Sequence, residues 1–284
     1  MKKNYENSLR EIIKEYKFKP KKKLGQNFLH DKNIISSIVN KANIKDEDII
    51  EIGPGPGILT ESILNNKARS LLAIEKDDSF EVNLKKIKNN YRNNFDYLIN
   101  DVIDFDFKKL TKKNYKFVSN LPYNISVPFI LKMIRIRNII PWKEMILMVQ
   151  KEVAERITAN ISTKNYGRLS IMVNLNNDVK KLLTVKPSSF IPRPKVDSTV
   201  IKISPKNKKI NINTEVFERI VKTCFSQRRK KVKNNLDQLN INTISLLELS
   251  NIDPDIRAEN IDIDGFIRIS RNYEELIKEN YEDF

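Results

Sequence analysis

A chain of 284 residues with 52 Lys and Arg against 36 Asp and Glu carries a formal net charge of +16, which reads as the footprint of a polyanionic partner, nucleic acid or an anionic membrane surface, or as a Lys- and Asn-rich compositional bias. One cysteine, Cys224, and one histidine, His30, exclude a disulfide framework, a Cys/His zinc site and any multi-histidine mechanism, so catalysis must use other groups. No apolar run approaches the roughly 18 residues of a membrane-spanning helix and Met1-Lys-Lys-Asn-Tyr5 lacks the apolar core of a signal peptide, so a cytoplasmic protein is expected.

The charge is unevenly placed. From Glu248 onward eleven acids face four bases, which leaves 48 bases and 25 acids in residues 1–247. Residues 1–23 form a basic arm in which Leu9, Ile12, Ile13 and Tyr16 stand at helical spacing, so it reads as a short amphipathic helix or a frayed tail. An uncharged stretch, Leu24-Gly-Gln-Asn-Phe-Leu29, then precedes a helix through Ile34, Ile35, Ile38 and Val39, for which Asp31 is the expected N-cap.

The organising stretch is Asp48-Ile-Ile-Glu-Ile-Gly-Pro-Gly-Pro-Gly-Ile-Leu-Thr60. Ile49, Ile50 and Ile52 read as a buried parallel strand, Gly53, Gly55 and Gly57 as a turn open to close backbone approach, and Ile58 onward as a helix. Such a corner calls for an acid at the end of the next strand, and Leu71-Leu-Ala-Ile-Glu75 supplies it 22 residues after Gly53, where Glu75 can accept from both hydroxyls of a ribose. Pro54 and Pro56 delete two amide donors that a dinucleotide's pyrophosphate would need. S-adenosylmethionine, with a ribose and an adenine but no phosphate, is the better fit. A tight turn without ligand is the alternative.

Strands at 48–52, 70–75, 95–99, 116–119 and 144–150 alternate with helices at 57–66, 78–90, 126–136 and 151–159, which implies a mostly parallel sheet covered on both faces. Asp101 follows the third strand at the same sheet edge as Gly53 and Glu75, placed to accept from an adenine amino group, while Asp104 reads as a solvated helix cap. A segment ahead of the first strand can fold back over such a site. Asn27 would then offer an amide and Leu29 a backbone group to the amino-acid end of the ligand, with a surface turn as the alternative.

The fourth strand ends in Ser119-Asn-Leu-Pro-Tyr-Asn124. An adenine amine is a poor nucleophile because its lone pair is delocalised into the ring, and two acceptors in a rigid turn can draw that nitrogen toward tetrahedral geometry. The Asn120 side-chain oxygen and the Leu121 carbonyl are the two acceptors, Pro122 stiffens the turn and Tyr123 stacks on the base. Farther on, Phe190-Ile-Pro-Arg-Pro194 makes a stiff loop whose Phe190 either walls the base pocket or anchors the loop. Val196 to Ile203 reads as an edge strand closing the first domain, Pro205–Lys209 as a polar linker, and Val216, Phe217, Ile220 and Val221 as the start of a helical domain with Cys224 in its core. Lys222 to Lys233 holds six bases and no acid, which reads as a grip on RNA phosphates or as a solvated helix face.

Taken together, Leu24–Leu29, Glu51–Gly57, Asn120–Tyr123, Phe190–Ser198 and Phe225–Lys231 resemble the KsgA family of ribosomal RNA adenine dimethyltransferases over roughly residues 20–270. The resemblance implies a Rossmann-like class I methyltransferase domain over 1–205, with the basic arm 1–23, and a small C-terminal α-helical RNA-binding domain over 206–284. It implies methyl transfer from S-adenosylmethionine to N6 of two adjacent adenosines in a hairpin near the 3′ end of small-subunit ribosomal RNA. The implied cofactor contacts fall on Asn27, Leu29, Gly53, Gly55, Glu75, Asp101 and Asn120, the implied catalytic turn on Asn120, Leu121, Pro122 and Tyr123, and base stacking on Tyr123 and Phe190. RNA contacts fall on Arg228, Arg229, Lys230 and Lys231. Small-subunit rRNA or the assembling 30S particle is the implied partner of a monomer with no membrane role. The alternatives are an Erm-like large-subunit rRNA methyltransferase, against which Leu121 and the Phe225–Lys231 segment speak, a non-catalytic nucleic-acid-binding relative, and a DNA or protein-amide methyltransferase.

Overall fold

The structure is a computed structural model that describes residues 9–15, 18–110, 114–207 and 209–282. In chain order its main elements are α1 (Leu9–Glu15), β1 (Phe28–Leu29), α2 (Lys32–Ala42), β2 (Asp48–Ile52), α3 (Ile58–Asn65), β3 (Ser70–Glu75), α4 (Glu81–Asn90) and β4 (Phe95–Ile99). These are followed by β5 (Tyr115–Asn120), α5 (Ser126–Arg135), β6 (Trp142–Gln150), α6 (Lys151–Ile157), α7 (Arg168–Asn174), β7 (Asn177–Val185), β8 (Phe190–Ile191) and β9 (Ser198–Pro205). The chain closes with α8 (Thr214–Cys224), α9 (Val232–Leu236), α10 (Thr243–Leu249) and α11 (Ile263–Glu282). Tyr16 and the first eight residues of the basic arm lie outside the described residues.

The seven-stranded sheet runs in the order β4-β3-β2-β5-β6-β9-β7. β2 is parallel to β3 and to β5, β3 to β4 and β5 to β6, whereas β9 runs antiparallel to β6. The spans of β2, β3 and β4 are those expected from the sequence. Strands covered on both faces need apolar side chains on both, and Ile49, Ile50, Phe117, Val118, Met145, Ile146 and Leu147 are all 0% exposed.

One reading of the strands is corrected, and one strand escapes the sequence reading. The stretch read as Val196–Ile203 is β9, and it is internal, because β7 lies beyond it as the edge. β7 escapes the sequence pattern since Asn177-Asp-Val-Lys-Lys-Leu-Leu-Thr-Val185 carries two exposed lysines at its centre, charges that blunt an edge against pairing with other chains.

Local chemistry explains where the helices start. Asp31 accepts from the amides of Asn33 and Ile34 to cap α2. Gly57 opens α3 at φ +84°, and a Cβ there would stand 2.4 Å from Ile87 Cδ1, so only glycine suits this junction. α5 turns Phe129, Ile130 and Met133, each 0% exposed, toward the sheet. Among the described residues, no helix is long and apolar enough to cross a membrane.

The chain divides into two compact units, 1–154 with 179–205 and 155–178 with 206–284. A single boundary after residue 205 therefore misses the excursion at 155–178. Its helix α7 buries Leu169, Ile171, Met172 and Val173, and Arg168 pairs with Glu218 of α8 at 2.5 Å. Within this second unit α8 buries Phe217, Ile220, Val221 and Cys224, and Tyr166 donates to the Ile261 carbonyl at 2.9 Å. Burial pushes the Cys224 thiol well above its ordinary pKa, in line with a core role.

Candidate active site

A cavity opens where β2, β3, β4 and β5 end, and its walls include Gly53, Gly55, Glu75, Asp101, Asn120 and Tyr123. The parallel register explains the convergence. Ile52 stands opposite Ile74 and Glu75 opposite Ile99, so the residues that follow each strand emerge along one edge.

The glycine turn commits its amides internally. Gly53 N–H donates to the Ile74 carbonyl at 2.9 Å, Gly55 N–H to Glu75 Oε2 at 2.9 Å and Gly57 N–H to the Pro54 carbonyl at 3.0 Å. Pro54 and Pro56 have none to give. The turn thus has no free donor with which to cradle a phosphate. Gly53 sits at φ +66°, and a Cβ on it would come within 3.2 Å of Pro122 Cδ, so the absent side chain lets the glycine turn lie against the Asn120–Tyr123 turn.

Glu75 is 5% exposed and accepts from Asp77 N–H at 2.8 Å as well as from Gly55. Burial raises its pKa, and the two amide bonds only partly offset this. Beside it Glu51, 2% exposed, accepts from the Thr60 hydroxyl at 2.7 Å. Burial, with a contribution from Glu75, pushes its carboxyl up to about 8 despite that bond. Glu51 is a cavity residue that the sequence reading places inside a motif without assigning it a role. Only burial reveals its state.

Asp101 is half-buried. Its Oδ1 accepts from Ile103 N–H at 2.9 Å and its Oδ2 meets Lys76 Nζ at 2.5 Å. Burial opposes its charge, yet the Lys76 ammonium and the Ile103 amide outweigh that and hold the carboxyl below its ordinary range. It is therefore an acceptor at neutral pH, and its Lys76 partner is a feature the sequence does not announce. Asp104 is not the cap read from sequence. It lies exposed in a turn, and Asp106 does the capping by accepting from Lys108 N–H at 3.0 Å.

The Leu24–Leu29 segment does fold over the cavity, which Asn27 and Leu29 line together with Lys23, Gly25 and Gln26. β1 pairs antiparallel with β8, setting Leu29 opposite Phe190. A polar latch that sequence reading misses holds the segment. Asp77, 2% exposed, accepts from Lys21 Nζ at 2.6 Å and from Gln26 Nε2 at 2.7 Å. Burial raises its pKa, but these donors and Ser79 more than reverse the effect. The Asp77-Asp78 pair shortly after Glu75 was the available signal.

At the Asn120 turn, Asn120 Nδ2 donates to the Asn27 carbonyl at 2.9 Å, which orients the amide and leaves Oδ1 as the acceptor. The Pro122 and Tyr123 carbonyls are taken by Ile125 N–H at 3.1 Å and Ser126 Oγ at 3.0 Å. Among the described residues no donor reaches Asn120 Oδ1 or the Leu121 carbonyl. Tyr123 is half-buried and its hydroxyl shares a 2.6 Å hydrogen bond with Ser198 Oγ, which steadies the ring.

Two sequence readings change. Phe190 does not line the cavity: it is 1% exposed and belongs to the core cluster with Phe28 and Leu29, so it anchors its loop. Phe225 to Lys230 form a turn rather than a helix face. In the second unit Arg228 donates to Glu259 Oε2 at 2.9 Å and to the Tyr166 carbonyl at 3.1 Å, and Lys231 pairs with Asp255 at 3.1 Å. Arg229 and Lys230 are exposed and, among the described residues, their side-chain cations carry no partner. No cluster of potential metal ligands occurs among the described residues.

Residues 17–275 match the family model described as ribosomal RNA adenine dimethylase. The chain is 38% identical over 264 residues to the ribosomal RNA small subunit methyltransferase A of a Wolbachia strain from Drosophila simulans, covering 92% of this chain and 96% of that one. It is 35% identical over 271 residues to the protein of the same description from Afipia carboxidovorans, covering 94% and 96%. Among solved structures, a dimethyladenosine transferase from Plasmodium falciparum aligns with a TM-score of 0.75 and 30% identity over 87% of this chain and 98% of that one. The 23S rRNA methyltransferase ErmE shares the fold at a TM-score of 0.64 and 21% identity, over 87% and 100%.

Proposed function

Because the chain belongs to the ribosomal RNA adenine dimethylase family, we propose that it transfers methyl groups from S-adenosylmethionine to N6 of two adjacent adenosines near the 3′ end of small-subunit rRNA. The observation that carries this reading is the pair of unpaired acceptors, Asn120 Oδ1 and the Leu121 carbonyl, at the wall of a cavity whose glycine turn has no amide left for phosphate.

S-adenosylmethionine supplies an electrophilic methyl on a sulfonium. The chain supplies position. Glu75 accepts from ribose hydroxyls, Asp101 from the adenine amine of the cofactor, and Asn27 and Leu29 hold the amino-acid end. Asn120 and Leu121 each take one N–H of the substrate amine and turn its lone pair toward the methyl carbon, while Tyr123 presents a ring face to the flipped base. The amine's proton becomes acidic only once the nitrogen is cationic, so no general base is required. Rate arises from alignment and from acceptors placed where positive charge develops. Asn120 Nδ2 is bonded to Asn27, so one side chain couples the cofactor segment to the base turn.

Arg229 and Lys230 bind RNA phosphates, with Arg228 and Lys231 shaping the turn that presents them. The protein acts in the cytoplasm, as a monomer, on small-subunit rRNA or the assembling 30S particle, and needs no metal. The test is mass spectrometry of small- and large-subunit RNA after incubation with the protein and isotopically labelled S-adenosylmethionine. Two adjacent N6-dimethyladenosines confined to small-subunit RNA support the reading. Label in large-subunit RNA, or none in either, overturns it.

A further inference from the structure

Lys132 lies in α5, the helix that begins behind the Asn120–Tyr123 turn, and no part of the mechanism above uses it. Its ammonium donates to the carbonyls of Val102 at 3.2 Å, Ile103 at 2.6 Å and Phe105 at 2.8 Å, and sits 5.3 Å from the centre of the Phe107 ring. All three acceptors belong to the loop that Asp101 opens. Among the described residues no carboxylate reaches ion-pair distance of Lys132, although Asp101, Asp104 and Asp106 act on it from farther away.

Carbonyl ligation of a half-buried ammonium is a costly way to anchor a helix. Desolvation lowers the Lys132 pKa against the pull of those three aspartates. A leucine or methionine would cover Phe107 at less expense. The lysine instead satisfies carbonyls that would otherwise be left part-buried and unpaired. On the other side of the same loop, Asp101 is locked by its own turn. Its carbonyl accepts from Asp104 N–H at 3.1 Å and Phe105 N–H at 2.9 Å, and its carboxylate accepts from Ile103 N–H at 2.9 Å. Ile103 is thus held from both ends, its amide by Asp101 and its carbonyl by Lys132.

We propose that Lys132 is a positioning residue for the cofactor: by gathering the carbonyls of 102, 103 and 105 it sets the Asp101 carboxylate for the adenine amine and ties that loop to the helix behind the Asn120 turn. The inference rests on the reading of Asp101 given above. An adenine-selective site is its signature, because an ionised carboxylate accepts from an amino group and repels the carbonyl of hypoxanthine.

The experiment is calorimetric titration of S-adenosylhomocysteine and its hypoxanthine counterpart, S-inosylhomocysteine, into the wild type, Lys132→Met, Lys132→Arg, Asp101→Asn and the Lys132→Met/Asp101→Asn double variant, with Tm recorded for each. Lys132→Met is expected to lose about tenfold in affinity for the adenine compound and little for the hypoxanthine one. Lys132→Arg should recover most of the preference, and the double variant should be no worse than Asp101→Asn, since both act through the same carboxylate. Equal losses for both compounds, a lowered Tm with the preference intact, or additive effects in the double variant would make Lys132 a purely structural residue and overturn the proposal. If Asp101→Asn alone leaves the preference unchanged, it is the reading of Asp101 that fails, and the proposal falls with it. Should Lys132→Met not fold, Lys132→Gln takes its place with the same expectations.

Discussion

The cavity at the sheet edge and the basic segment from Lys222 to Lys233 are both prominent in the sequence, yet the structure treats them differently. In the cavity, residues chosen for their spacing along separate strands meet as expected: Gly53, Gly55, Glu75, Asp101 and Asn120 line one space. In the basic segment, cations chosen for their density divide. Arg228, Lys231 and Lys233 are engaged by Glu259 or Asp255, while Arg229 and Lys230 are unpaired among the described residues. Spacing on a parallel sheet is a geometric statement, because the register carries each strand's last residue to the same edge. Charge density is not, since acids distant in sequence can neutralise a cluster once the chain folds.

That contrast can be broken most forcefully at Asn120. Asn120→Ala is expected to abolish single-turnover methylation at saturating cofactor and RNA while leaving RNA affinity nearly unchanged, because the missing acceptor matters most as the amine becomes tetrahedral. Tyr123→Ala removes a stacking surface worth about 1–3 kcal/mol per base, whereas Tyr123→Phe keeps the ring and loses only the bond to Ser198. Wild-type turnover by Asn120→Ala, or equal damage from the two Tyr123 variants in the same assay, would contradict the assigned roles.

Next in size is Glu75→Ala, which should weaken S-adenosylmethionine binding by about 1–3 kcal/mol in calorimetry through the loss of charge-assisted bonds to the ribose. Unchanged affinity in a folded variant would remove Glu75 from the site. For the basic segment, the double change Arg229→Ala/Lys230→Ala should lower the log–log salt slope of RNA binding by about 0.7 to 0.9 for each phosphate that is no longer neutralised. Arg228→Ala should lower Tm instead, since that guanidinium braces the turn against Tyr166 and Glu259. If Arg228→Ala flattens the salt slope and leaves Tm unaltered, the division of the cluster is wrong.

A pH dependence is expected from Glu51. Its folded-state pKa of about 8 lies above the unfolded value of 4.5, so the folded protein binds more protons than the unfolded chain across that window. Stability therefore falls as pH rises from about 4.5 to 8. Glu51→Gln should flatten this decline in thermal unfolding measured from pH 5 to 8. Glu75 and Glu61, whose carboxyls burial also raises, keep part of the slope. An unchanged slope would show that Glu51 is ionised in the folded protein.

Much of the first unit was legible because its signals are local and repeat. Short strands rich in apolar residues end at one edge, glycine marks the φ-positive junction at Gly57, and Asp31 caps α2. What stayed hidden needed partners far apart in the chain. Phe190 is stiffened by flanking prolines that mark its loop but do not say whether the ring faces the cavity or the core, and pairing with β1 sends it to the core. β7 carries Lys180 and Lys181 where a buried strand would be apolar, so its pattern does not announce it. The Lys21–Asp77–Gln26 latch joins residues more than 50 positions apart, so the Asp77-Asp78 pair after Glu75 names neither of its partners.

The central claim is that the cavity takes an adenosyl methyl donor and not a phosphate-bearing nucleotide, and a paired calorimetric titration of the wild-type protein with S-adenosylmethionine and with NAD tests it most directly. With the Gly53, Gly55 and Gly57 amides committed and Pro54 and Pro56 donating nothing, saturable one-to-one binding of S-adenosylmethionine and no measurable heat from NAD are expected. Tighter binding of NAD than of S-adenosylmethionine, or no binding of S-adenosylmethionine at all, would contradict the account.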